Sequence, residues 1–170
     1  MLSRLTSAKP EIADYPFTTK FPNLGQVVAD WNTSFVIADI PGLIEGASEG
    51  IGLGHDFLKH IERSGILVHL VEPAPMDGTD PIENYHSIRN ELVQFNEALR
   101  DRPEIVVVTK SELPDAAEVQ QQLQDKFGSD TESDSYKKVL LISAVTGSGL
   151  PELLREITGV LETHRACSQS

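Results

Sequence analysis

Several short stretches hold residue types from which a site could be built. The first runs from Phe35 to Gly54, where an apolar run, Phe35 to Ala38, ends in Asp39-Ile40-Pro41-Gly42 and passes into a loop holding Gly46, Gly50, Gly52 and Gly54. A buried strand ending in a carboxylate delivers it to the crevice where open α/β sheets bind ligands. Asp39 is therefore placed to hold a hard cation such as Mg²⁺, directly or through water. Gly42 lets a backbone N–H approach a phosphate with no Cβ in the way, and the later glycines leave the loop free to open or close. Asp-x-Pro-Gly is equally the chemistry of an ordinary turn. Two further stretches, Thr109-Lys110-Ser111-Glu112 and Ser143-Ala144-Val145, each follow an apolar run. Taken singly, both read as common polar loops.

The elements that must position these residues follow from periodicity. Residues 2–8 read as the last turns of a helix stopped by Lys9-Pro10, because a residue before proline avoids the α region. Ala13 to Gly25, with two prolines and small polar residues, reads as an exposed loop. Gln26 to Trp31 and Ser34 to Asp39 read as an antiparallel pair joined at Asn32-Thr33. His55 to Ser64 is expected to be a short helix burying Phe57, Leu58 and Ile61. The continuous apolar runs Ile66 to Val71, Glu104 to Thr109 and Val139 to Ser143 read as buried parallel strands. Between them, Pro81 opens a helix whose face is Ile82, Tyr85, Ile88, Leu92, Phe95 and Leu99. Ala116 to Phe127 is a second helix, Gly128 to Ser135 a polar acidic loop, and Leu150 to Thr163 a closing helix followed by a frayed tail, His164 to Ser170. Strands alternating with amphipathic helices give a three-layer α/β domain with a mainly parallel sheet and right-handed crossovers.

Composition narrows the function classes. A chain of 170 residues suits one domain. Its net charge of −12, from 26 acidic against 14 basic residues, repels phosphate backbones, so direct nucleic-acid binding by this segment is not expected. The single cysteine, Cys167, leaves no internal disulfide and no cysteine-based zinc site. No apolar run reaches membrane-spanning length, and no signal peptide is apparent. A cytoplasmic location is expected.

Around Asp39 to Gly42 the sequence continues as LIEGASEGIGLGHDFLKHIERSGILVHLVEP and is preceded by TSAKPEIADYPFTTKFPNLGQV. From Leu2 to about Leu161 this closely resembles the Obg family of translation-factor-like GTPases. The developmentally regulated GTP-binding proteins share the Asp-x-Pro-Gly-x-Ile-Glu-Gly core. The run Gly52-Leu53-Gly54-His55, with Phe57-Leu58 and His60-Ile61-Glu62-Arg63, looks more like Obg. The resemblance implies a P-loop NTPase-like G domain over residues 1–163, with 164–170 a flexible tail, a guanine nucleotide (GTP or GDP) as ligand, and Mg²⁺ as cofactor. Tyr15-Pro16-Phe17-Thr18-Thr19 resembles the family's first switch, so Thr18 and Thr19 are expected at the nucleotide and Thr19 at the metal. Asp39 to Gly42 would be the second switch, with Asp39 the other metal ligand, Ile40 and Pro41 beside the nucleotide, and Gly42 sensing the γ-phosphate. Thr19, Asp39 and Gly42 are the expected catalytic set. Both loops held by phosphate and metal, and released on hydrolysis, would make nucleotide state an order–disorder signal.

Thr109-Lys110-Ser111-Glu112 stands where the family has its guanine-reading Asn-Lys-x-Asp. Glu112 keeps the charge but adds a methylene, Thr109 lacks the amide, and Lys110 is retained with a stem able to lie along the purine. A hydrogen bond to a charged group is worth about 1.5–3 kcal/mol, so misplacing such contacts would weaken base selectivity about tenfold or more. Ser143-Ala144-Val145 resembles the final motif, in which a backbone N–H near the alanine meets the guanine carbonyl. Position 43, where Ras has a water-orienting glutamine, is leucine. Glu45 and Glu49 are candidates to replace it by proximity in sequence alone.

The sequence contains no G-x-x-x-x-G-K-[ST] loop, which in the family cradles the phosphates. The expectation is a G domain incomplete at its N-terminus, with doubtful hydrolysis by this chain alone and two strand edges lacking a shared neighbour, hence lower solubility and stability than an N-terminally extended form. The alternatives are a degenerate, non-hydrolysing G domain serving as a protein-interaction module, and an unrelated α/β domain. Family members are associated with ribosome assembly, so a ribosomal particle is an expected partner, through regions outside this sequence.

Overall fold

The computed structural model describes Leu5 and residues 11–12, 23–30, 33–39, 65–129 and 137–168. The expected helices at residues 2–8 and 55–64, the glycine loop, and Thr18, Thr19, Ile40, Pro41 and Gly42 lie outside the described residues, apart from the helical Leu5. The described structure falls into two compact units, residues 1–63 and 64–170.

In the first unit, β1 (Glu11–Ile12), β2 (Asn23–Asp30) and β3 (Thr33–Asp39) form an antiparallel sheet in that order. Val27 pairs with Phe35, and both are buried, while their neighbours Val28 and Val36 face outward. This is the period-two alternation of a sheet with one covered face. The register closes at Asp30 opposite Thr33, so the connection is residues 31–32, one position earlier than Asn32-Thr33. β2 also starts within the stretch expected to be loop: Asn23, Leu24 and Gly25 pair with Asp39, Ala38 and Ile37.

The second unit is the α/β part. β4 (Leu67–Val71), β5 (Glu104–Val108) and β6 (Lys137–Leu141) are parallel, in sequence order. The chain crosses from β4 to β5 through α1 (Pro81–Phe95) and a 3₁₀ turn (Glu97–Leu99), and from β5 to β6 through α2 (Ala116–Ser129). α3 (Leu150–Ser168) closes the unit. α1 begins as its sequence dictates: the Asp80 carboxylate accepts from the N–H groups of Ile82 (2.7 Å) and Glu83 (3.0 Å), and Pro81 occupies the first turn.

β5 is buried along its whole length. Val106 and Val108 pack in one cluster with Val71, Ile82 and Tyr85 of α1, Ala116, Val119 and Leu123 of α2, and Val139. Lys138, the neighbour of Val139 on β6, points the other way and meets α3, its ammonium 2.6 Å from Glu156 and 3.9 Å from Glu152. α1 and α2 therefore cover one face and α3 the other, which is the expected three-layer arrangement around a parallel sheet.

Three boundaries differ from expectation. α1 ends at Phe95 because Asn96 adopts an extended backbone and its side chain accepts from the Ala98 N–H at 2.9 Å, a local bond that competes with the helix ladder. Leu99 is still fully buried, but from the 3₁₀ turn. β6 starts at Lys137 rather than Val139, and Lys138 within it spans to acidic partners on α3. α3 continues to Ser168, so residues 164–168 are helical rather than a frayed tail.

The start of β5 holds a buried polar cluster. Glu104 is fully buried; Tyr85 Oη donates to its Oε2 at 3.0 Å, Arg89 Nε lies 3.4 Å from the same oxygen, and His69 Nδ1 is 3.1 Å from Oε1. The His69 and Tyr85 rings are 4.7 Å apart. Arg89 also donates to the carbonyls of Leu99 (3.3 Å) and Arg100 (3.1 Å). Burial pushes the Glu104 carboxyl up, but the His69 hydrogen bond, the Arg89 charge, the His69 charge and the Tyr85 hydroxyl together hold it below the usual carboxylate value.

Candidate functional site

The opposite, C-terminal end of the parallel sheet is where α/β sheets bind ligands, and two of the expected motifs meet there. Thr109 continues directly from β5. Its N–H and its hydroxyl both donate to the Val71 carbonyl, at 2.9 and 3.2 Å. A threonine cannot offer the family's amide, but here its hydroxyl supplies a brace of its own, onto the end of β4. Lys110 then takes a left-handed backbone, φ 53°, a conformation that costs a side-chain-bearing residue about 1–2 kcal/mol and turns the chain sharply out of the strand direction. The Lys110 ammonium is ion-paired with the Glu72 carboxylate. Ser111 N–H donates to the Ile142 carbonyl at 3.0 Å and Leu113 N–H to that of Lys110 at 2.8 Å, tying the loop to the end of β6 and closing its turn.

The partner loop is equally determined. Ser143 is fully buried, and its N–H donates to the Ser148 carbonyl at 2.9 Å while its carbonyl accepts from Gly147 N–H at 2.9 Å. Gly147 and Gly149 have φ of 83° and 74°, as their place before α3 suggested. At Gly149 the constraint is double, because a Cβ would stand 2.2 Å from the Leu141 carbonyl oxygen. The Ser143 hydroxyl accepts from Thr146 N–H at 3.1 Å, and that buried hydroxyl, with Glu112's own N–H and the Lys110 charge, holds the Glu112 carboxyl below the usual range. One hydroxyl thus fixes its own turn and influences the acidic residue of the facing loop. Ala144 and exposed Val145 follow it on the same turn.

The structure therefore brings Thr109, Lys110, Ser111 and Glu112 together with Ser143, Ala144 and Val145. Asp39 ends β3 opposite Asn23 in the first unit, and the remainder of the metal and phosphate set lies outside the described residues. Among the described residues, no cluster of three His, Cys, Asp or Glu side chains could hold a metal, and no helix is long and apolar enough to cross a membrane. Sequence reasoning missed Glu72 and the Val71 carbonyl. Both stand 38 residues from their partners, and nothing in their local sequence marks them.

The model of the family described as 50S ribosome-binding GTPase matches residues 1–110. GTPase Obg of Bacillus pumilus (strain SAFR-032) is 52% identical over 163 residues, 96% of this chain and 37% of that protein. GTPase Obg of Bacillus velezensis is 50% identical over the same length and shares. The chain thus spans little more than a third of these curated relatives. Among solved structures, it is similar to nucleolar GTP-binding protein 1 from Plasmodium falciparum, with a TM-score of 0.63 at 14% identity over 98% of this chain and 81% of that one. It is also similar to Era in complex with MgGDPNP and nucleotides 1506–1542 of 16S ribosomal RNA, with a TM-score of 0.63 at 22% identity over 94% of this chain and 51% of that one. These two likenesses concern the fold alone. On the family match and the identity to the curated relatives, the chain belongs to the 50S ribosome-binding GTPases, on their Obg branch.

Proposed function

We propose that the loops after β5 and β6 form the base-reading side of a guanine-nucleotide site. Glu112 accepts from the paired N–H donors on the guanine edge, the Lys110 stem lies along the purine face, and the backbone N–H at Ala144 meets the guanine carbonyl. Ser111 and Val145 line the same loops. The observation that carries this is the Ser111 N–H bond to the Ile142 carbonyl at 3.0 Å, which ties together two motifs 31 positions apart and sets the buried Ser143 hydroxyl near enough to the Glu112 carboxyl to lower it. A preset acceptor loses less on binding than one that must first be ordered.

The same reading assigns residues 1–163 to a G domain that works as a Mg²⁺-dependent GTP switch, with 164–170 beyond it. Mg²⁺, when bound, would neutralise charge on the phosphoryl oxygens. Thr19 and Asp39 would hold it, Thr18, Ile40 and Pro41 would line the nucleotide, and Gly42 would sense the γ-phosphate. A role in ribosome assembly in the cytoplasm belongs to the same reading, whose ribosomal part is supported by the ribosome binding in the family description and by the ribosomal RNA in the Era complex. A second reading, a non-hydrolysing G domain acting as a protein-interaction module, is favoured by one observation, the replacement of two of the three defining residues of the guanine motif by Thr109 and Glu112.

The test is a fluorescence titration with mant-GDP and mant-GTP, with and without Mg²⁺, followed by competition with unlabelled GTP, ATP and XTP. Saturable binding displaced by GTP and not by ATP is expected. Equal displacement by ATP, or no saturation at millimolar nucleotide, would remove the guanine-site reading.

A further inference from the structure

Glu72 lies just beyond Val71, the last residue of β4, and in the parallel register Val71 stands opposite Val108. The Thr109 bonds to the Val71 carbonyl pin the next residue, Lys110, beside Glu72. The left-handed backbone at Lys110 then sends its side chain back across the strand ends, where its ammonium meets the Glu72 carboxylate. Both side chains remain about half exposed, 47% for Lys110 and 40% for Glu72, so a flat ligand can reach the lysine stem without the pair being broken.

We infer that Glu72 is a positioning residue for base recognition: its carboxylate holds the Lys110 ammonium and so keeps the four-carbon stem laid out before a base arrives. A free lysine stem gives up much rotamer freedom when it is fixed against a ligand. A carboxylate outside the motif takes that loss in advance. Glu72 touches the lysine head, not the ligand, so its effect falls on the base and not on the phosphates. The inference rests on the guanine-site reading above.

Three consequences separate this role from a general contribution to folding. The effect of Glu72 must vanish when Lys110 carries no charge. It must be the same for a nucleoside as for its diphosphate. It must also fade in 1 M salt, where the Debye length is ~3 Å. The experiment is a chemical-shift titration of the ¹⁵N-labelled 170-residue chain with guanosine and with GDP. It uses the wild type, Glu72→Gln, Glu72→Asp, Lys110→Met and the Glu72→Gln/Lys110→Met double variant.

Glu72→Gln is expected to weaken both ligands by about two- to fivefold, the span of an exposed ion pair. Glu72→Asp should recover part of that loss, and Glu72→Gln should have no effect in the Lys110→Met background. An equal loss in both backgrounds, a loss confined to GDP, or Glu72→Asp as weak as Glu72→Gln would overturn the inference. If the wild type itself fails to saturate with either ligand, the guanine-site reading fails first and this inference falls with it. Saturable wild-type binding with Glu72 silent overturns the inference alone.

Discussion

At its start, β5 presents Glu104, fully enclosed and engaged by Tyr85, Arg89 and His69. Just past its end stands Glu112, solvent-facing and steadied by Ser143. Hydrogen bonds and nearby positive charge hold both carboxyls below the usual value, against very different desolvation. Glu104 must overcome its own desolvation with two oxygens' worth of partners, whereas Glu112 has little desolvation to overcome and keeps acceptor capacity free. One end of the strand spends its polar groups on internal satisfaction, and the other leaves them available to a ligand. An acidic residue near a strand end is thus not by itself a functional signal. What distinguishes the two is whether the neighbouring elements close over the carboxylate or only aim it.

The largest expected effect breaks the enclosed end. Glu104→Ala leaves Arg89 buried beside lost acceptors and should cost about 3–5 kcal/mol, read as a fall in the urea midpoint. Because the folded-state pKa of Glu104 is lowered, its contribution is fully present above the ordinary Glu value of about 4.3. It is lost as pH falls through the folded-state value. The wild type should lose stability on acidification with a component absent in Glu104→Gln.

A middle-sized effect is expected at Gly149. Gly149→Ala combines a positive φ with a Cβ against the Leu141 carbonyl and should cost on the order of 1–3 kcal/mol in the same urea assay. It should also shift the Ser143 and Glu112 resonances, because the turn that positions Ser143 has to move. Unchanged Glu112 resonances would mean that the two loops are not coupled.

The smallest effect sharpens the exposed end. Ser143→Ala removes the acceptor for Thr146 N–H and should cost about 0.5–1.5 kcal/mol. Its more telling result is at Glu112, whose carboxyl should titrate at higher pH by ¹³C NMR. The Glu104 carboxyl should be unmoved. A shift at both would show that the two ends of β5 are not independent.

Much of this architecture was legible in the sequence, where the determinants are local. Asp80-Pro81 marks the start of α1 through capping chemistry contained within four residues, and the apolar run at 104–108 marks a strand buried on both faces. Misread boundaries trace to side chains whose partners are distant. Lys138 fell outside the apolar run that marked the strand, since its acidic partners lie on α3, and Asn96 breaks a face that periodicity continued to Leu99. Motif order along the chain picked out the two loops to which base reading is proposed, since each motif follows a strand. It could not reveal Glu72, whose meaning comes only from the parallel register, nor the way a threonine hydroxyl finds the Val71 carbonyl where an amide was expected. Asp39 was legible as the close of an apolar run, and β3 does end there, whereas Thr19 lies outside the described residues.

Arg89 has a consequence at a distance. By gripping the carbonyls of Leu99 and Arg100 and reaching Glu104 with the same guanidinium, it nails the incoming connection to the first residue of the central strand. A strand clamped at its entry cannot slip by one position, a slip that would invert every side chain along it. The depth at which Thr109 and Lys110 emerge is therefore set from the far rim of the sheet, as a depth stop sets the reach of a drill.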